Sequence, residues 1–235
     1  QGRDFESEIF EMSDATNRVL YKPVGVAGLI TPWNLPLYLL SWKVAPALLM
    51  GNTIVAKPSE MTPMTASLLA EVMEEVDLPR GVFNLVHGNG LDAGAPLTSH
   101  PDVDLISFTG GTTTGREVAK SASSGFKKLS LELGGKNATI IREDVDLESM
   151  IPGIVRASFL NQGQVCLCGS RILIHESIYD SFVDAFLNAV SDMIVGAPSD
   201  EDTELGALIS AAHRDKVMAY IDLAEEEGGD ILCGG

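Results

Sequence analysis

Two textures of apolar residues alternate along the chain. Short, β-branched runs predict strands at Val24–Ile30, Asn52–Lys57, Gly81–Val86, Asp104–Gly110 and Lys127–Gly135. The stretches between them carry helical spacing. Helices are expected at Leu37–Met50 (ending at Gly51), at Thr62–Val76 with Pro63 in its first turn, over a short piece at Leu91–Ser99, and at Thr113–Ser123 straight after a glycine pair. Strands separated by helices in this way argue for βαβ units and a mostly parallel sheet. The region to about Gly134 therefore reads as a Rossmann-like doubly wound layer. The rhythm then restarts with "NATII" (Asn137–Ile141), a helix at Leu147–Leu160, "SRILIH" (Ser170–His175), and helices at Ser177–Met193 and Ala211–Glu227. That is the opening of a second α/β domain. The first twenty residues alternate polar and apolar positions, as a hairpin arm pairing with a neighbour would.

Composition narrows the function. The chain has 235 residues, 45% of them hydrophobic, which suffices for one or two cored domains. Its 33 acidic residues against 16 basic give a net charge of -17, which disfavours nucleic acid and anionic membrane as partners. No apolar run reaches the length of about 18 residues that a membrane-spanning helix needs. Three cysteines without a framework spacing fit a reducing compartment, and the expected location is cytoplasmic. The chain opens on "QGRDFESEIF" and stops at "GGDILCGG", where a strand pattern has just begun, so both ends read as cut.

The segment "NQGQVCLCGSR" places Cys166 and Cys168 one residue apart. A disulfide at that spacing strains the preferred bridge geometry. A structural zinc needs four ligands, and neither Cys233 nor the four scattered histidines supply them, so no metal is expected. Packing and nucleophilic attack remain. Gly163 should end the preceding helix, leaving the Cys166 backbone amide uncommitted and able to hydrogen-bond an oxyanion. Cys168 fits the packing role.

Other residues admit a bland and a chemical reading side by side. Glu132, set among Leu131, Leu133 and two glycines, is either a strand residue facing solvent or a carboxylate raised in pKa toward general-base duty. Asn34, between two prolines beyond the first strand, is either a turn residue or a fixed amide donor. "FTGGTTTGR" joins a strand end to a helix start, where free amides and the positive dipole end suit phosphate. Lys57 and Glu60 are either surface charges or the pair that meets a ribose, with the carboxylate repelling a 2′-phosphate and favouring NAD over NADP.

"TPWNLPL", "NTIVAKPSE", "FTGGTTTGR", "LELGGKN" and "FLNQGQVC" occur in the order and spacing of the NAD(P)-dependent aldehyde dehydrogenases, and the chain resembles that family over essentially its whole length. The resemblance implies that Cys166 is the nucleophile, Glu132 the general base, and Asn34 with the Cys166 amide the oxyanion hole. It also implies an NAD site built from Ile30, Thr31, Pro32, Trp33, Lys57, Glu60, Gly90, Gly94, Thr109, Gly110, Gly111, Leu133 and Gly134. The position of Gly111 is commonly serine in the family, so one hydroxyl contact to phosphate is lost here. The implied domains are an oligomerisation arm (1–22), an NAD-binding Rossmann-like domain incomplete at its N-terminal side (23–135), and the first part of a catalytic domain (136–235). Family members are roughly twice this length, so the chain is expected to be partial.

The implied reaction is addition of the Cys166 thiolate to an aldehyde, hydride transfer to NAD+, and hydrolysis of the resulting thioester by water that Glu132 activates. Within the family, "KKLSLELGGKN", "QVCLC" and "GALIS" look most like the 2-aminomuconic and 2-hydroxymuconic semialdehyde dehydrogenases. Betaine-aldehyde and general aliphatic enzymes share the core motifs. Coenzyme-A-acylating relatives tend to lack the carboxylate at Glu132, and a truncated NAD-binding module without turnover is the non-enzyme alternative. A small-molecule aldehyde is the expected partner, and a homodimer or homotetramer the expected assembly.

Overall fold

The computed structural model describes residues 8–235. The first seven residues of the expected arm lie outside the described residues. The chain divides into two compact units, one running to Gly134 and the other from Gly135 to Gly235.

The first unit opens with an antiparallel hairpin, β1 (Glu8–Glu11) and β2 (Thr16–Val19), exposed along both strands. A five-stranded parallel sheet follows: β3 (Val26–Ile30), β4 (Thr53–Lys57), β5 (Phe83–Leu85), β6 (Leu105–Thr109) and β7 (Lys128–Glu132), in the spatial order β5-β4-β3-β6-β7. Helices α1 (Pro36–Leu49), α2 (Met64–Glu75), α3 (Ala95–Ser99) and α4 (Thr112–Ser123) make the crossovers. The chain builds outward from β3 through β4 to β5, then returns to the other side of β3 for β6 and β7.

Strand alternation explains why both faces need cover. Ala27 and Leu29 of β3 pack with Ile54 and Ala56 of β4 beneath Leu40 and Val44 of α1 and Ala66 of α2. Ile30 packs on the opposite face with Ile106 and Phe108 of β6, Leu97 of α3 and Val118 of α4. Successive residues of a strand point to opposite faces, so β3 and β6 each feed two cores and read as near-continuous apolar runs.

The predicted helix at Leu91–Ser99 is two pieces. A π-helical turn over Gly90–Gly94 precedes α3, with Asn89 Oδ1 accepting from the Leu91 and Asp92 amides at 2.9 and 2.8 Å. Pro96 has no N–H to continue a regular ladder, and the wider turn absorbs the mismatch. The other expected helices and strands lie within three residues of their observed ends.

In the second unit, β8 (Ala138–Ile141) pairs in parallel with β9 (Arg171–Ile174) across the crossover helix α5 (Leu147–Phe159). Helices α6 (Tyr179–Ser191) and α7 (Ala211–Glu226) follow. Phe182, 1% exposed, anchors this core with Ile141, Ile151, Ile154 and Val155, and its ring stacks on Phe186 at 5.6 Å.

One side chain joins the end of the first crossover helix to the start of β3. Helix α1 stops at Gly51, whose φ of +76° suits glycine, and the Gly51 amide returns to the Leu48 carbonyl. The buried Asn52 then accepts from the Val24 and Gly25 amides at 2.7 and 3.1 Å and donates to the Ala47 carbonyl at 3.1 Å. It ties the entry of β3 to the end of α1. Asn52→Ala strands the Val24 and Gly25 amides, while the Ala47 carbonyl keeps the backbone amide of residue 52, and should lower the urea-unfolding free energy by about 2–4 kcal/mol at unchanged slope.

Candidate active site

A parallel sheet leaves all its carboxyl ends at one edge. Ile30 pairs with both Lys57 and Phe108, and Thr109 with Glu132, so the loops after β3, β4, β6 and β7 emerge side by side. The chain reverses direction across the sheet between β3 and β6, and at such a switch point the two following loops part and leave a crevice. The structure gathers most residues singled out for the cofactor around this edge. Thr31, Pro32, Trp33 and Asn34 follow β3, with the Thr31 amide on the Lys57 carbonyl at 3.2 Å. Gly110 and Gly111 follow β6, with the Gly110 amide on the Glu132 carbonyl at 3.0 Å. Leu133 and Gly134 follow β7, while Gly90 and Gly94 belong to the π-helical turn beyond β5.

The glycines there differ in kind. A Cβ at Gly110 would strike the Phe108 ring at 2.6 Å, so packing demands glycine. A Cβ at Gly111, the N-cap of α4, would meet nothing within 4 Å. Buried Thr31 Oγ1 has no hydrogen-bond partner among the described residues. An unsatisfied buried hydroxyl at a sheet edge is uncommon in native structures.

Lys57 is 4% exposed and reaches Glu60 Oε2 at 3.0 Å, while Glu60 itself stays half in solvent. A hydrogen bond from its own backbone holds the Glu60 carboxyl below the usual range against partial burial, and Lys57 adds to this. Beside Glu60 opens a cavity of about 410 Å3, lined among others by Met64, Ser67 and Leu68 of α2 and by His87. Ser67 Oγ and a His87 ring nitrogen lie 3.1 Å apart across it. Neither Ser67 nor His87 stands out in the sequence, because only the β5–α2 packing brings them together.

Glu132 departs from its expected surroundings. Leu131 and Leu133 turn to the α4 face and pack in that core, with Leu133 against Gly115, so the intervening Glu132 points to the opposite face and is exposed. Residues adjacent in a strand do not surround one another. Among the described residues, the expected apolar enclosure is therefore absent. The α1 face carries a buried charge that no motif marks. Lys43 is 9% exposed, and its Nζ donates to Ser107 Oγ at 2.8 Å. Burial lowers its pKa from 10.5 to about 8, opposed by the negative charge of Glu132. A single charge in the apolar run "LYLLSWKVAPALL" was the available signal.

In the second unit, α5 ends at Phe159 and the chain turns through Asn161, Gln162 and Gly163 with φ of 54°, 57° and 70°. Two non-glycine residues in the left-handed region each cost about 1–2 kcal/mol. Gln164 holds the turn, its Nε2 donating to the Asn161 carbonyl at 3.3 Å and its Oε1 accepting from the Ile209 amide at 3.1 Å. A β-turn follows, closed by the Cys168 amide on the Val165 carbonyl at 3.1 Å. Cys166 is its second residue and is exposed; Cys168, its fourth, is buried. The Cys166 amide makes no hydrogen bond among the described residues. All three cysteines are free, and no group of three or more His, Cys, Asp or Glu side chains among the described residues could hold a metal. The arrangement provides a solvent-reachable thiol with a backbone donor on its own residue.

Lys43 gives the first unit a pH signature. Its folded pKa lies below its unfolded one, so between about pH 8 and 10.5 the unfolded chain binds the extra proton and stability rises with pH. Below pH 8 both states are protonated and the cost of burying the ammonium is fully felt. The parent should gain about 3 kcal/mol across that window relative to Lys43→Met, read from urea unfolding at a series of pH values. Parallel curves for the two proteins would contradict the buried charge.

The Aldehyde dehydrogenase family matches residues 1–235. The 2-aminomuconic 6-semialdehyde dehydrogenase of a Pseudomonas species is 53% identical over 222 residues, covering 94% of this chain and 45% of that protein. The 2-hydroxymuconic semialdehyde dehydrogenase of Pseudomonas sp. strain CF600 is 47% identical, covering 99% of this chain and 49% of that protein. Among solved structures, betaine aldehyde dehydrogenase from Staphylococcus aureus in complex with NAD+ superposes with a TM-score of 0.94 at 43% identity, covering 97% of this chain and 46% of that one. The chain thus spans about half the length of the curated relatives it matches. With its parallel sheet, its strand-edge glycines and its exposed turn cysteine, the chain belongs to the aldehyde dehydrogenase family.

Proposed function

We propose that this chain binds NAD+ at the carboxyl edge of its five-stranded sheet and oxidises an aldehyde, of the muconic semialdehyde type, to the carboxylate through Cys166. The observation that carries the reading is the exposed Cys166 on a tight turn with its own amide uncommitted, beside a buried Cys168 that serves packing. The named relatives supply the substrate class, and the neighbour crystallised with NAD+ supplies the cofactor.

The residues present suit NAD+. The first-turn amides of α4 and the open space at Gly111 suit the pyrophosphate. Thr31 Oγ1 offers an unpartnered hydroxyl at the same edge. Lys57 and Glu60 suit the adenosine ribose, and the negative Glu60 discriminates against a 2′-phosphate. Ile30, Pro32, Trp33, Thr109, Gly110, Leu133 and Gly134 line the remainder, with Gly90 and Gly94 shaping the turn beyond β5.

Within this reading the chain's own groups divide the work. The Cys166 thiolate adds to the carbonyl carbon, and the Cys166 amide and the Asn34 side chain donate to the oxyanion. NAD+, when bound, accepts the hydride. Glu132, on the same sheet face as the buried Lys43, takes a proton from the water that cleaves the Cys166 thioester, releasing the carboxylate and the thiol. Aldehyde, water and NAD+ give carboxylate, NADH and two protons. No described helix is long and apolar enough to cross a membrane, and free thiols suit a cytoplasmic enzyme. The exposed hairpin residues Ile9, Phe10 and Val19 suit an arm of a homodimer or homotetramer.

Two measurements test this. NADH absorbance should rise when the chain is mixed with NAD+ and a 2-aminomuconic or 2-hydroxymuconic semialdehyde, faster than with betaine aldehyde, and should fall to background in Cys166→Ala. Turnover that survives the substitution removes Cys166 from its role. Gly111→Ser fits the open N-cap position and restores a hydroxyl at the α4 start. It should tighten NAD+ about tenfold in calorimetric titration, the effect of one hydrogen bond to a charged group. An unchanged Kd would place the pyrophosphate elsewhere.

A further inference from the structure

The turn that carries Cys166 is mounted on one side chain from another part of the second unit. Asn137 stands immediately before β8, and its Nδ2 donates to the Cys166 carbonyl at 2.6 Å and to the Cys168 carbonyl at 3.1 Å. A primary amide nitrogen has two N–H groups, so both are spent on this one turn. The mount itself is stiff. The Asn137 carbonyl accepts from the Arg171 amide at 3.0 Å, extending the β8–β9 ladder by one rung, and Arg171 Nε donates to the Lys136 carbonyl at 3.0 Å. Behind the turn, a Cβ at Gly169 would collide with Thr139 Oγ1 at 2.3 Å, so the chain leaves the turn pressed against β8. The two carbonyls of the turn are thereby faced toward Asn137, while the Cys166 amide is left uncommitted.

We propose that Asn137 is a positioning residue for the nucleophile: it holds the Cys166 and Cys168 carbonyls on the sheet side, fixing the exposed thiol outward and the Cys168 thiol inward. The assignment rests on Cys166 being the nucleophile, but a test by thiol chemistry needs no turnover. A loop-borne group gains accuracy when its support comes from a regular element, and Asn137 supplies the link between the β8–β9 ladder and the turn. Without it both carbonyl dipoles can swing toward Cys166 Sγ, where they oppose the thiolate.

The test is alkylation by iodoacetamide of the full chain across a series of pH values, with each modified cysteine quantified by mass spectrometry. In the parent, Cys166 and Cys233 react and Cys168 is protected. In Asn137→Ala the Cys166 rate at neutral pH should fall about tenfold as its pH profile moves to higher pH, since the thiolate is the reacting form. Cys168 should become modifiable in the same variant, while Cys233 keeps its parent rate. Asn137→Asp, of the same size with both donors removed, should behave at least as strongly. An unchanged Cys166 profile with Cys168 still protected overturns the proposal, as does an equal change at Cys233, which reports general loosening. Should Cys166→Ala turn over NAD+ while the Asn137 variants show the expected thiol pattern, the nucleophile assignment fails and the clamp stands as a device for the turn alone.

Discussion

Parallel strands can place their carboxyl ends on only one edge, and the first unit's chemistry follows from that constraint. Five strands joined by right-sized crossovers bring the loops after Ile30, Lys57, Thr109 and Glu132 to a common rim, although up to 102 positions separate them in the chain. The first loop residues still reach a neighbouring strand, the Thr31 amide on the Lys57 carbonyl and the Gly110 amide on the Glu132 carbonyl, and the ladder ends with them. The helix starts add to this: the first amides of α4 point outward, and Gly111 at its cap leaves them open to a ligand. The rim is polar because the ladder ends there and the first amides of a helix have no partner within that helix, before any side chain is considered.

The same alternation that buries both faces decides which side chains meet. Ser107 lies between Ile106 and Phe108, so it faces α1, where Lys43 reaches it. Glu132 lies between Leu131 and Leu133 and faces the same way, so its charge is felt by Lys43 across 88 intervening positions. The strands and helices are legible in the sequence because their apolar spacing is local information. Cys168 as packing and Gly163 as the end of the helical segment were legible for the same reason. The enclosure expected around Glu132 failed because it treated chain neighbours as spatial neighbours, which a strand forbids. The roles of Lys43 and Asn137 are not legible for the converse reason, since their partners come from other elements.

Cys166 and Cys168 show how much a single turn decides. Their side chains have the same chemistry and stand two residues apart, yet one is exposed and the other buried. The Cys168 amide closes the turn on Val165, the Gly169 amide returns to the Ala157 carbonyl of α5, and the Cys168 thiol faces the Leu160 carbonyl at 3.9 Å. Cys166, in the middle of the turn, has no such obligations from its amide. Composition cannot separate these fates, because they depend on which residue of a four-residue turn each occupies.

The turn is also the place where the second unit accepts backbone strain. Three consecutive left-handed residues end the helical segment abruptly, so the chain leaves α5 without another helical turn in which Cys166 would have had a committed amide. That geometry survives only if its neighbours hold it from both directions. Gln164 ties the incoming side to the Ile209 amide, and Asn137 ties the outgoing side to the β8–β9 ladder. A strained entry and a clamped exit together give an exposed thiol a defined direction, which a flexible loop of the same sequence length would not. The cost in local stability is the counterpart of leaving the backbone amide of Cys166 uncommitted, which the proposed reaction would use.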